Sequence, residues 1–169
     1  KTVQSASLMV KPAAPVDSVT IWNDLPAQPV QGGVMVEVGD LWAGEHRKLV
    51  VTFSVPAMGA LGLAQVAELE LRYVTLPGFT EETITIPVNV NVVPGDQAAG
   101  RIADAQVRTE LVYQQAQQEK RRAADALSVG DVDGAIGAYD EACRRLAAQM
   151  RANPSSEILE EAEAIERLR

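Results

Sequence analysis

Cysteine, histidine and aromatic residues are scarce in this chain of 169 residues: one Cys, one His, two Phe, two Trp and three Tyr. A single cysteine excludes an internal disulfide framework, and a single histidine leaves little for a zinc site or a His-based catalytic dyad. No apolar run approaches the roughly 18 residues that a membrane-spanning helix needs. Positive charge is short as well, with 15 Lys and Arg against 23 Asp and Glu, a net charge of −8. Phosphate binding depends on clustered Lys and Arg, so nucleic acid is not an expected partner. There is also no G-x-S-x-G, no Gly-rich phosphate cradle and no metal-spaced His/Cys set. No enzymatic activity, catalytic residue, cofactor or metal is therefore expected. What is present, 47% hydrophobic and 22% charged residues, is the composition of a folded globular protein.

Lys1 opens the chain, and a strand-like stretch (Ala6, Leu8, Val10) follows at once. No basic leader with an apolar core precedes it, and the chain reads as a piece of something longer or a processed product. The unpaired Cys143 fits a reducing compartment, which slightly favours a cytoplasmic setting.

Two periods divide the chain. Up to about Gly95 it alternates with period two: Leu49, Val51, Phe53 and Val55; Leu69, Leu71 and Tyr73; Ile84, Ile86, Val88, Val90 and Val92. Successive side chains of a strand point to opposite faces, so these are expected half-buried strands. Leu8 with Val10, Val19 with Ile21, and Val34 with Val36 and Val38 give three shorter ones. Turn residues separate them at Gly32-Gly33, Gly39-Asp40, Gly59 and Pro77-Gly78. Six strands without an intervening helix predict an immunoglobulin-like antiparallel β-sandwich over 1–95. Pro87 cannot donate to a ladder, which predicts an edge strand or a bulge there, and an edge can accept a partner's strand.

After a linker at 96–103 the period becomes helical, and 104–169 is expected to form an α-helical hairpin and tail, giving an α+β protein. One helix runs from about Asp104 to Val129, closed by Gly130. A second covers about Val132 to Ala152, with an apolar stripe of Ile136, Tyr139, Cys143, Leu146 and Met150. A short third opens with Asn153 as N-cap and Pro154 in the first turn, and Ile158, Ala162, Ile165 and Leu168 line its inner face. The Gln-rich stretch from Gln114 to Arg122 reads as a solvated spacer or an open surface. Both halves are equally acidic: 5 Lys and Arg against 9 Asp and Glu in 1–95, and 10 against 14 in the rest.

Gly130-Asp131-Val132-Asp133-Gly134-Ala135-Ile136, with Tyr139 and Ala142, resembles the turn and second helix of a tetratricopeptide repeat. Ala135 and Ala142 would be the close helix contacts and Ile136 and Tyr139 the packing residues, facing Ala123 and Ala124. There is one copy, so the expectation is a hairpin and not a groove-forming array; a generic helical hairpin fits equally. Read as a calcium loop, the same stretch puts Val129 at the first ligand position and Asp140 where a bidentate Glu belongs, so no calcium is expected. His46 lies in a polar turn with only Glu45 and Asp40 as companions, Cys143 is expected to pack as a small hydrophobe, and Glu81-Glu82 and Glu160-Glu161 read as solvated.

Asp40-Leu41-Trp42-Ala43-Gly44-Glu45, then Leu49-Val50-Val51, Ala67 to Tyr73 and Ile86 to Asp96, occur in an informative order. The set resembles the β-sandwich and helical tail that follow the von Willebrand factor A (VWA) domain in bacterial proteins of that class. The resemblance covers roughly 1–150 and implies a non-catalytic protein-interaction or scaffold role, with the VWA domain outside this chain. The D-x-S-x-S metal motif of that domain is absent: Asp17-Ser18 is followed by Val19, Thr20 and Ile21, so no metal ligand is carried over. A protein partner is expected, and the sequence names neither its identity nor the oligomeric state. The alternative is a small-ligand or carbohydrate-binding sandwich using Trp22 and Trp42.

Overall fold

The computed structural model describes residues 1–14, 16–101 and 103–168. Lys1–Arg101 and Ile102–Arg169 are two compact units. The first contains strands β1 (Val3–Pro12), β2 (Ser18–Ile21), β3 (Ala27–Val30), β4 (Gly33–Leu41), β5 (Val51–Ser54), β6 (Gly62–Thr75) and β7 (Thr80–Val92), then the single turn α1 (Gly95–Ala98). An antiparallel five-stranded sheet runs β3-β4-β1-β6-β7, and β2 pairs with β5 in a second, two-stranded sheet. The fold class is α+β, as the change of period predicts, and the sheets face one another as a sandwich. Leu8 and Val10 of β1 and Val36 and Val38 of β4 form the buried core, and Val19 and Ile21 of β2 and Val51 and Phe53 of β5 pack onto it.

Local chemistry sets the register. A Cβ at Gly33 would stand 2.0 Å from the Val10 carbonyl oxygen, so only glycine lets β4 enter the sheet this close to β1. At the other end of β1, Ser5 has φ 52° and the pairing with β4 shifts between Val3 and Ser7. The Asp40 carboxylate supports this bulge by accepting from the Ser5 N–H at 3.0 Å. Pro87 lies in β7, the edge strand it predicts. Strand β3 was not expected; all four of its residues are exposed, so no hydrophobic alternation announced it. The turn α1 starts at the last residue expected in the sandwich and runs into the stretch expected as linker.

The second unit has α2 (Ala105–Ser128), α3 (Val132–Ala152) and α4 (Ser156–Leu168). Asp104 caps α2 by accepting from the N–H groups of Gln106 and Val107. Asp131 caps α3, accepting from Gly134 N–H at 2.9 Å. The core is built on alanine: Ala116 and Ala123 of α2 meet Ala135, Ala138 and Ala142 of α3, with Tyr139, Leu146, Ile158 and Ile165 around them. Small residues let two helix backbones come close, and larger side chains fill the flanks.

Several helical expectations need correcting. The buried side of α3 is rotated from the expected stripe: Ala135, Ala138 and Ala142 take the centre, Cys143 and Met150 are half-buried, and Ile136 is exposed. On α2, Ala123 is buried and Ala124 is exposed. Asn153 does not cap α4. It closes α3, with its backbone N–H on the Gln149 carbonyl and its side chain drawn to Thr109, so α4 starts three residues later. Leu168, at the end of α4, is exposed. Residues 114–120 are buried or half-buried, not a solvated spacer, because α2 runs against both partner helices. Lys120 Nζ pairs with Glu161 at 2.8 Å and Arg145 donates to Gln115 at 3.3 Å.

One buried polar cluster joins α2 to α3. The Thr109 hydroxyl donates to the Ala105 carbonyl at 2.9 Å and accepts from Gln149 Nε2 at 2.9 Å and Asn153 Nδ2 at 3.1 Å. Thr109→Val keeps the shape but strands the buried Gln149 amide, and a urea melt should show a loss of about 1–3 kcal/mol. Two glycines of α3 should respond in opposite ways. A Cβ at Gly137 meets nothing within 4 Å, whereas one at Gly134 would stand 2.1 Å from Asp131 Oδ2. Gly137→Ala should gain up to about 1 kcal/mol in helix propensity. Gly134→Ala should displace the cap and lose about 0.5–2 kcal/mol of it, so its thermal melt falls below that of Gly137→Ala.

Candidate interaction surface

Cross-strand neighbours show where the sandwich is incomplete. Val36, Leu8, Leu71 and Ile84 lie side by side across four strands, and so do Val34, Val10, Leu69 and Ile86. Directly paired residues share a face, so each row is one apolar strip pointing to the second sheet. Val36 and Val10 are fully buried, Leu71 and Leu69 are half-buried, and Ile84 and Ile86 are 43% and 50% exposed. Two strands cannot cover five. The β7 side of the core face is left open, which the alternation of Ile84, Ile86 and Val88 could not reveal. A signal did exist in the mismatch between the long apolar strands β6 and β7 and the short β2 and β5.

Near the far end of β7 a cleft of about 550 Å³ opens, lined by Val55 to Met58 after β5, by Leu61 and by Val90 to Pro94. Along β7, Val88 and Val90 lead from Ile86 toward this mostly apolar hollow. Pro87, opposite Glu68 of β6, lacks the N–H an added ladder would use, so this side offers a face more readily than an edge.

The charged side chains of the first unit serve its architecture. On the outer face of the large sheet, Lys11 Nζ sits 3.1 Å from Glu68 and 2.6 Å from Glu70, whose other oxygen meets the Arg72 guanidinium. Lys11 and then Arg72 hold the Glu70 carboxyl below the usual range, and Glu70 and Glu68 raise Lys11. The proposed companions of His46 are engaged. Glu45 accepts from Trp42 N–H at 3.0 Å and Arg47 Nε at 2.8 Å, and both contacts lower its pKa. Asp40 pairs with Lys1 Nζ at 2.6 Å, and that ammonium, then the Ser5 N–H, lowers its pKa. His46 itself is exposed in its turn. Trp22 donates through its indole N–H to Thr52 at 2.7 Å, while Trp42 is exposed. Among the described residues no three His, Cys, Asp or Glu side chains gather as a metal-holding group, and no helix is long and apolar enough to cross a membrane.

Of the hairpin residues singled out by sequence, Ala135, Tyr139 and Ala142 come together in one core and Ile136 does not join them. Ile136 instead has exposed aliphatic company at the closed end of the hairpin, in Leu127, Val129 and Val132. The stripe pattern missed this because the alanines, not the larger residues, occupy the contact.

A sandwich with an uncovered strip, in a chain that also carries an alanine-packed helical unit, defines an α+β fold with exposed aliphatic surfaces. No family model and no curated protein matches the chain. Among solved structures, the crystal structure of the ArnB paralog VWA2 from Sulfolobus acidocaldarius matches with a TM-score of 0.53 and 13% identity. The match covers 97% of this chain and 42% of that one. At this identity the likeness is one of fold alone. The neighbour is archaeal, where the sequence motifs resembled bacterial proteins.

The sign of the Asp40 effect gives a pH test. Its carboxyl ionises more readily folded than unfolded, so its contribution is complete above the unfolded pKa and is lost as pH falls through the folded one. Asp40→Asn keeps an acceptor for Ser5 N–H but loses the Lys1 pair. Wild type should exceed the variant in thermal stability at pH 7, and the gap should close as pH drops below about 4.

Proposed function

We propose that this chain is a non-catalytic protein-interaction module accompanying a VWA domain that lies outside it, and that it docks its partner on the open β6–β7 side of the sandwich. The observation that carries this reading is the exposure of Ile84 and Ile86 on the same strips that form the core. A side chain such as Ile gains about 1.5–3 kcal/mol when it is fully buried, so covering both rewards a partner substantially. The likeness of fold to part of the longer VWA2 protein supports the setting, since nearly all of this chain matches 42% of that one. The scarcity of aromatics weighs against sugar binding: Trp42 is exposed, and the Trp22 N–H is committed to Thr52.

Ile86→Lys tests the reading. The position is half-exposed, so the variant should melt close to wild type while losing the partner co-purified from the native cell. An unchanged co-purified set would exclude this face as the docking surface. Glycan-array binding that depends on Trp42 would favour the carbohydrate reading instead.

A further inference from the structure

A separate observation, on the helical unit, identifies a second surface and the chemistry of what it takes. The closed end of the α2–α3 hairpin exposes four large aliphatics within ten residues: Leu127 at 48%, Val129 at 80%, Val132 at 56% and Ile136 at 40%. They surround the tight Val129-Gly130-Asp131 turn, where Gly130 has φ 80° and Asp131 N–H bonds the Ala126 carbonyl at 2.9 Å. Val132 and Ile136 are four apart on α3, so they stand one above the other on one helix face. The alanine contact explains why they point outward: Ala135, Ala138 and Ala142 occupy the side that faces α2.

Charge decides what can cover this tip. From Ala123 to Cys143 there is no Lys or Arg, while Asp125, Asp131, Asp133, Asp140 and Glu141 all fall in that stretch. Glu141 is paired with Arg144 and Arg145, and Asp131 is occupied as the cap. Asp125 and Asp133 are exposed beside the aliphatics. An anionic lipid surface would be repelled, because membrane attraction comes from Lys and Arg. A second copy would bring the same acidic tip against itself, and like charges brought together at an interface are costly.

We infer that the hairpin tip is a docking site for a basic amphipathic helix of a partner protein, its aliphatic face on Val129, Val132 and Ile136 and its Lys or Arg flanking residues toward Asp125 and Asp133. Helix recognition of this kind uses apolar anchors for affinity and charge for orientation. The inference does not depend on the β7 face, and its test leaves that face untouched.

The test uses the full chain and a synthetic peptide of about fourteen residues with Leu and Lys at amphipathic helical spacing. NMR titration should shift amides around residues 125–137, with binding that weakens as salt rises. Peptides with Glu in place of Lys, or with the same composition scrambled out of helical period, should bind at least about tenfold more weakly, as should V132S/I136S chain at unchanged melting temperature. Asp125→Asn with Asp133→Asn should weaken binding and flatten its salt dependence. Equal binding of the scrambled peptide would reduce the effect to bulk charge and overturn the proposal. So would shifts confined to other parts of the chain, or Ile136-dependent self-association or binding to anionic vesicles.

Discussion

Two strands facing five is the constraint from which the first unit follows. An aliphatic sheet face is stable where a second layer removes it from water, and here the cover reaches β4, β1 and β6 and thins out at β7. Burial along a single row falls from complete at Val36 to about half at Ile84, although the residues are similar in size and hydrophobicity. The difference therefore comes from neighbours and not from the side chains. It turns one end of the same strip from core into exposed surface.

The second unit solves its packing problem with small residues. Alanine on both sides of the α2–α3 contact lets the helices approach closely, and the fully buried Leu146, Ile158 and Ile165 then fill what remains. This arrangement has little tolerance for polar atoms, yet Thr109 and Gln149 are buried there. They are accommodated because the Thr109 hydroxyl acts as donor and acceptor at once, satisfying the Gln149 and Asn153 amides while keeping its own proton on Ala105. The same hydroxyl explains why α3 ends at Asn153, since the side chain that would have capped α4 is held across the hairpin.

How much of this the sequence carries depends on whether the deciding partner is local. Alternation from Ile84 to Val92 and the change of period after Gly95 are local, and they translate into β7 and the helices. Pro87 has a local consequence, the missing donor, and it places β7 at the edge. Ile136 fails as a sequence reading because hydrophobicity alone ranks it above Ala135, while close helix approach ranks the small residue first. Asn153 fails for a related reason: its local signal for an N-cap is sound, but Thr109, 44 residues away, competes for the same side chain. Ile84 and Ile86 are legible as strand residues and illegible as surface, because exposure there depends on how far two other strands extend. The proposed docking surface is thus a part of the molecule where sequence pattern and structural environment disagree.

Uniform acidity limits what those surfaces can do. Each half carries the same excess of Asp and Glu, but the charge is placed differently in the two units. In the sandwich, Lys11, Arg47 and Arg72 meet Glu70, Glu45 and the bulge at Asp40, so much of the charge is spent within the fold. That leaves Ile84 and Ile86 in a setting where apolar contact would dominate in the proposed docking. Flanking the hairpin tip, Arg122 is turned to Glu119 and Arg144 and Arg145 to Glu141, and the aliphatics are bordered by acids. Apolar contact there would come with an electrostatic filter, which would speed approach of a cationic partner and reject anionic ones. As proposed docking sites, the two exposed aliphatic clusters would therefore select partners by different physics, one by surface complementarity and the other by charge.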